Sequence, residues 1–85
     1  MFYVYVLENA ADKSWYIGYS ADLKTRIADH KSGHGAKTTK TKKGWDLMYY
    51  EAYRNQADAK GRERFLKSGS GRRYLKKQLQ NHLSA

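Results

Sequence analysis

The stretch WYIGYS, Trp15–Ser20, decides how the rest of the chain is read. Its aromatic and β-branched residues suit a strand, yet Gly18 interrupts it, and glycine inside a strand costs backbone entropy and packs nothing. Gly18 therefore marks either a bulge or a place where something comes close to the backbone, between Tyr16 and Tyr19. Upstream, FYVYVL (2–7) has the same character and reads as a first strand, joined by the polar, turn-forming ENAADKS (8–14). The two strands are expected to pair as a hairpin.

Downstream, Asp22 is a candidate N-cap, and Leu23 and Ile27 lie one turn apart on the inner face of a helix. That helix should end near Lys31–Ser32, with Gly33 as its C-terminal cap. GHGAKTTKTKKG (33–44) reads as a basic loop, and WDLMYYEAY (45–53) returns to strand character. A second helix is expected from about Asn55 to Lys67, broken by the glycines of GSG (69–71). A last helix, about Arg72 to Leu83, places Leu75, Leu79 and Leu83 on one stripe. The order β-β-α-β-α-α predicts an α+β domain, a small sheet covered by helices.

Eighty-five residues suffice for a single domain spanning 1–85, with its core over about 2–79. Such a short chain buries a thin core, and 14% aromatic residues help to fill it. The absence of cysteine removes disulfides and thiolate metal sites and suits a cytoplasmic location. FYVYVL is too short to span a bilayer and no signal-peptide pattern opens the chain, so no membrane association is expected. Nothing in the sequence asks for a dimer, and a monomer is expected.

Charge says more about partners. Seventeen Lys+Arg against eight Asp+Glu give a net charge of +9, a self-repulsion that an anionic partner would relieve. Lys31, Lys37, Lys40, Lys42 and Lys43 follow one another without an acid between them. Lys60, Arg62, Arg64, Lys67, Arg72, Arg73, Lys76 and Lys77 are diluted only by Glu63. The alternative is an ordinary solvated surface.

Three groups could carry chemistry. Glu63 shares a helix side with Ala59 and Leu66, and a carboxylate in apolar company needs a partner. That partner is either a nearby arginine such as Arg62 or Arg64, or a hard cation such as Mg²⁺. Arg26 and His30, four apart on the first helix, are either a solvated basic face or a phosphate fork beside a proton acceptor. Most of the strand tyrosines should pack. A free phenol, with a pKa of about 10, is a poor base at neutral pH unless cations stabilise its anion.

These blocks together resemble a known family. VY at Val4–Tyr5, YIG at Tyr16–Gly18, DLKTRIADHKSG at Asp22–Gly33 and RERFLK at Arg62–Lys67 are similar, in order and spacing, to the GIY-YIG nuclease superfamily. Within it, the chain looks like the small stand-alone bacterial proteins consisting of that domain alone. The resemblance implies a three-stranded antiparallel sheet flanked by helices and Mg²⁺-dependent hydrolysis of a DNA phosphodiester, with Mn²⁺ as a substitute. Carried over by motif, it implies catalytic roles for Tyr5, Tyr16, Arg26, His30 and Glu63, with Glu63 holding the metal. Tyr16 is then expected to be the base, and Gly18 to be the gap that admits phosphate. Lys31, Lys37, Lys40, Lys42, Lys43, Arg62, Lys67, Arg72 and Arg73 are expected to grip nucleic acid, branched or otherwise structured DNA first and RNA second. Tyr3 stands where the first motif has glycine, and SGSGRRYLKKQL lacks the asparagine that many members carry after the glutamate. A nucleic-acid-binding module without turnover is the alternative reading, with repair or recombination as the cellular setting for either.

Overall fold

Three strands form one antiparallel sheet in the order β2-β1-β3. They are β1 (Phe2–Asn9), β2 (Trp15–Ser20) and β3 (Trp45–Tyr53). The structure is a computed structural model and describes residues 1–35 and 42–84. The helices are α1 (Leu23–Ser32), α2 (Gln56–Lys67), α3 (Gly69–Gln78) and a final turn, α4 (Gln80–Leu83). The predicted α+β order and the three-stranded sheet are both present.

Strand alternation divides β1 between two cores. Val4 and Val6 pack with Ile17 and, from α2 and α3, with Ala59, Leu66 and Leu75. Tyr5 and Leu7 instead join Trp45, closed over by Tyr16 and by Leu23 and Ile27 of α1. The sheet is thus covered by α1 on one face and by α2 and α3 on the other, which leaves β2 as an edge strand. Pairing runs regularly through Gly18, which lies opposite Tyr5. The one irregularity falls between Val6 and Leu7 on the β3 side, so Gly18 is not a bulge.

Local chemistry sets the ends of the elements. Buried Asn9 organises the hairpin loop: its Oδ1 accepts from the Ala11 and Asp12 amides, and its Nδ2 donates to the Lys43 carbonyl. Asp22 caps α1 through the Thr25 amide, and Gly33 closes it at φ 84°. Asn55 caps α2.

α2 ends at Lys67 as expected, but α3 starts at Gly69 and not near Arg72. Ser68 ends α2 and caps α3 at once, donating to the Phe65 carbonyl at 2.6 Å and accepting from the Gly71 amide at 3.1 Å. Gly69–Gly71 therefore form the first turn of α3. A Cβ on Gly71 would collide with the Phe65 carbonyl, so the glycine lets α3 fold back against the end of α2. The helix expected to continue to Leu83 instead pauses at Leu79, and Leu83 is exposed while Leu75 is fully buried. Lys37 and Lys40, with most of the expected basic loop, lie outside the described residues. No helix among the described residues is long and apolar enough to cross a membrane.

Candidate active site

One cleft of about 300 Å³ brings together Tyr5, Tyr16, Gly18, Arg26, His30 and Glu63. The tyrosines come from paired strands, Arg26 and His30 from successive turns of α1, and Glu63 from α2. All five expected catalytic residues, separated by up to 58 positions (63 − 5) in the chain, thus line one opening at the edge strand.

The closest contact among them joins the Tyr5 hydroxyl to His30 Nε2 at 2.8 Å, and both side chains are buried. Their rings stand 5.7 Å apart, and the Tyr16 ring lies 5.0 Å from His30. Burial pushes the Tyr5 phenol well above its ordinary range; Tyr16 and Glu63 push the same way, while Arg26 opposes them. Burial also lowers the His30 pKa from its usual 6.5, and neighbouring Arg26 lowers it further against a smaller pull from Asp29. At neutral pH the pair is therefore an un-ionised phenol against an un-ionised imidazole. In the tautomer with its proton on Nδ1, His30 accepts from Tyr5 and can take a proton from it.

Gly18 owes its place to this pair. A Cβ at position 18 would stand 2.4 Å from the Tyr5 hydroxyl oxygen and 2.5 Å from Cζ. The room left by the missing side chain is filled by the Tyr5 phenol. The glycine makes room for the tyrosine, and it also lines the cleft.

Glu63 is about one-fifth exposed and pairs with Lys67, four residues on, at 3.1 Å. Its partner is neither Arg62 nor Arg64. Among the described residues no three His, Cys, Asp or Glu side chains gather as a metal cage. A single carboxylate at an open, polar cleft suits Mg²⁺, which keeps several waters and shares its shell with phosphate. The donor set fits such an open site and would not fit a closed all-protein one.

Among the described residues, the expected nucleic-acid contacts fall in more than one place. Arg62 is taken: its guanidinium makes hydrogen bonds of 3.0 to 3.2 Å to both carboxylate oxygens of Glu51. It also lies 5.4 Å from the Phe65 ring and 5.0 Å from the Tyr74 ring. Its guanidinium thus has a structural role across the α2–β3 contact. Lys67 faces Glu63. Lys31, Lys42 and Lys43 line a cleft between the end of α1 and the start of β3, with Lys31 paired to Asp46 at 3.6 Å and Lys42 to Asp12 at 2.6 Å. Arg73 is exposed and reaches Ser70, and Arg72 borders another cleft beside Trp15.

Glu51 is the residue that sequence reasoning missed. It accepts from the Tyr49 and Tyr53 hydroxyls as well as from Arg62. Burial alone would raise its carboxyl, yet these donors hold it below the ordinary value of 4.5. The signal was present as an acid flanked at i±2 by tyrosines on a half-buried strand face.

Comparison with known proteins matches this fold and motif set. The family model described as the GIY-YIG catalytic domain matches residues 1–82. A UPF0213 protein encoded in the ldhD 5′ region of Pediococcus acidilactici is 47% identical over 77 residues, covering 88% of this chain and 78% of the relative. A UPF0213 protein of Staphylococcus haemolyticus is 39% identical over 74 residues, covering 87% and 89%. The solution NMR structure of a UPF0213 protein from Bacillus halodurans superposes with a TM-score of 0.54 at 37% identity, over 88% of this chain and 82% of that one.

Proposed function

The chain belongs to the GIY-YIG catalytic-domain family, which implies a nuclease-type function on nucleic acid, and from that premise we propose that it is a metal-dependent DNA endonuclease hydrolysing phosphodiester bonds. The observation that carries this reading is the buried Tyr5–His30 hydrogen bond opening into the cleft that Tyr16, Arg26 and Glu63 complete.

Proton transfer follows from that bond. As water attacks phosphorus, its proton passes to the Tyr5 oxygen while the Tyr5 hydroxyl proton passes to His30 Nε2. The phenol is neutral before and after, so its high pKa is no obstacle and the charge gained resides on the imidazolium. This moves the proton-accepting role from Tyr16 to the Tyr5–His30 pair. Tyr16, whose hydroxyl makes no hydrogen bond among the described residues, is placed to hold the attacking water. Arg26 binds the scissile phosphate and offsets the charge that grows on its oxygens.

Glu63 would hold Mg²⁺, or Mn²⁺ in its stead, and Lys67 pairs with the same carboxylate. When bound, the ion supplies Lewis-acid stabilisation of the phosphate oxygens and the leaving 3′-oxygen. Dispersed lysines and arginines contact backbone rather than bases, so binding is tolerant of sequence and weakens steeply with salt.

The test is cleavage of an end-labelled oligonucleotide duplex in Mg²⁺ and in EDTA. Tyr5→Phe and His30→Ala are each expected to slow the metal-dependent rate by about 10²-fold or more, as for loss of a general base. Binding without cleavage in either condition supports a binding module in place of the enzyme.

A further inference from the structure

A second cleft of about 600 Å³ opens at the hairpin end of the same edge strand, away from the catalytic residues. Trp15 lines it, together with Lys13 from the turn and Arg72 and Lys76 from α3. None of these three cations has an ion-pair partner among the described residues, whereas Lys31, Lys42, Arg62 and Lys67 all do. The Trp15 side chain packs against the core, its Nε1 donates to Glu8 at 3.3 Å, and no ring or cation stacks on it among the described residues. Glu8 also pairs with His82 at 3.3 Å, so the one acid in the cleft is engaged. What remains is a planar aromatic beside three unpaired cations. Such a combination suits unpaired nucleotides, whose bases stack while their phosphates pair.

The position of the cleft adds to this. Trp15 and Gly18 are three residues apart on β2, about 10 Å along a strand. The two residues stand on opposite faces of the sheet, so a nucleic-acid strand must pass round the edge of β2 to meet both clefts.

We propose that the Trp15–Lys13–Arg72–Lys76 cleft is a nucleic-acid subsite for a single-stranded segment adjoining the cleavage position, with a base on the Trp15 indole and phosphates on the cations. This rests on the nucleic-acid reading of the preceding subsection but needs no turnover. It gives the protein a preference for duplexes that carry an unpaired tail.

Fluorescence anisotropy in EDTA compares a blunt duplex with the same duplex bearing a single-stranded thymidine tail, and separately with an RNA uridine tail. Wild type should bind the tailed DNA duplex about tenfold more tightly than the blunt one, the factor expected of one base–aromatic stack. Trp15→Ala should bring that ratio to about one. Should Trp15→Ala fail to fold, the double variant Lys13→Asn/Lys76→Ala carries the test, since Lys13 has φ 62° and asparagine tolerates that backbone. It should reduce the ratio and lower the salt slope for the tailed duplex by about 1.4, the value for two lost single-strand phosphate contacts. A wild-type ratio near one with both tails, or a ratio unchanged in the folded variants, overturns the subsite. A uridine tail equal to the thymidine tail shows that the cleft reads an unpaired strand of either sugar. Protein that discriminates tails yet never cuts overturns the nuclease reading alone; protein that cuts without discriminating overturns the subsite alone.

Discussion

Gly18→Ala is the perturbation whose cost can be worked most directly from the structure. The new methyl would lie 2.4 Å from the Tyr5 oxygen and 2.5 Å from Cζ, more than 1 Å inside the ordinary carbon contact of about 3.5 Å or more. A flexible surface side chain would swing aside at little cost. Tyr5 cannot, because it is 2% exposed, bonded to His30 and packed beside Leu7 and Trp45. Overpacking of this kind costs about 1–3 kcal/mol, and displacing the ring also breaks a buried hydrogen bond worth about 1 kcal/mol. The substitution should therefore destabilise by roughly 2–4 kcal/mol and lower Tm by about 10 °C or more in a domain of this size. Urea denaturation followed by circular dichroism measures it. Repeating Gly18→Ala in a Tyr5→Leu background closes the cycle: with the ring gone, the methyl should cost less than about 1 kcal/mol. An equal penalty in both backgrounds, or a loss below about 0.5 kcal/mol in the native one, would refute the claim that Gly18 exists to seat Tyr5.

Other outcomes follow from the same contacts. Arg62→Ala leaves half-buried Glu51 without its charged partner and should cost about 2–3 kcal/mol in urea unfolding, far more than a solvated arginine would. Glu51 titrates below its ordinary 4.5; its stabilising effect is complete above that value and is lost as pH falls through the folded-state pKa. Acid unfolding should accordingly begin below pH 4.5 and show a shallower slope in Glu51→Gln. His30 must be uncharged to accept from Tyr5, and its pKa lies below 6.5. The acid limb of the cleavage rate should be centred below pH 6.5; a limb centred above 6.5 would contradict the assignment.

The sheet, the helix order and the first N-cap were legible because local chemistry decides them: β-branched and aromatic content in β1 and β2, Asp22 before Leu23. The five residues that line the cleft were legible as candidates through motifs that lie in short, ordered blocks. What escaped was decided between elements distant in sequence. GSG resembled a break because glycine usually ends helices, whereas Gly71 is required by the approach of α3 to the Phe65 carbonyl. Arg62 resembled its basic neighbours, and only the placement of Glu51 across the α2–β3 contact shows that it is engaged. The ring for which Gly18 makes room lies on the neighbouring strand, out of reach of its own stretch of sequence. Trp15 carried no signal of its own in the sequence, because only the fold of α3 brings Arg72 and Lys76 beside it.

The central claim is that Tyr5, Tyr16, Arg26, His30 and Glu63 form one hydrolytic site. It is tested most directly by nicking of covalently closed supercoiled plasmid, with Mg²⁺ or EDTA, by wild type, Glu63→Ala and Tyr16→Phe. The account predicts open-circular product with wild type in Mg²⁺ alone, and little or none with either variant. Plasmid that is bound but stays closed, or nicking by Glu63→Ala at the wild-type rate, would contradict it.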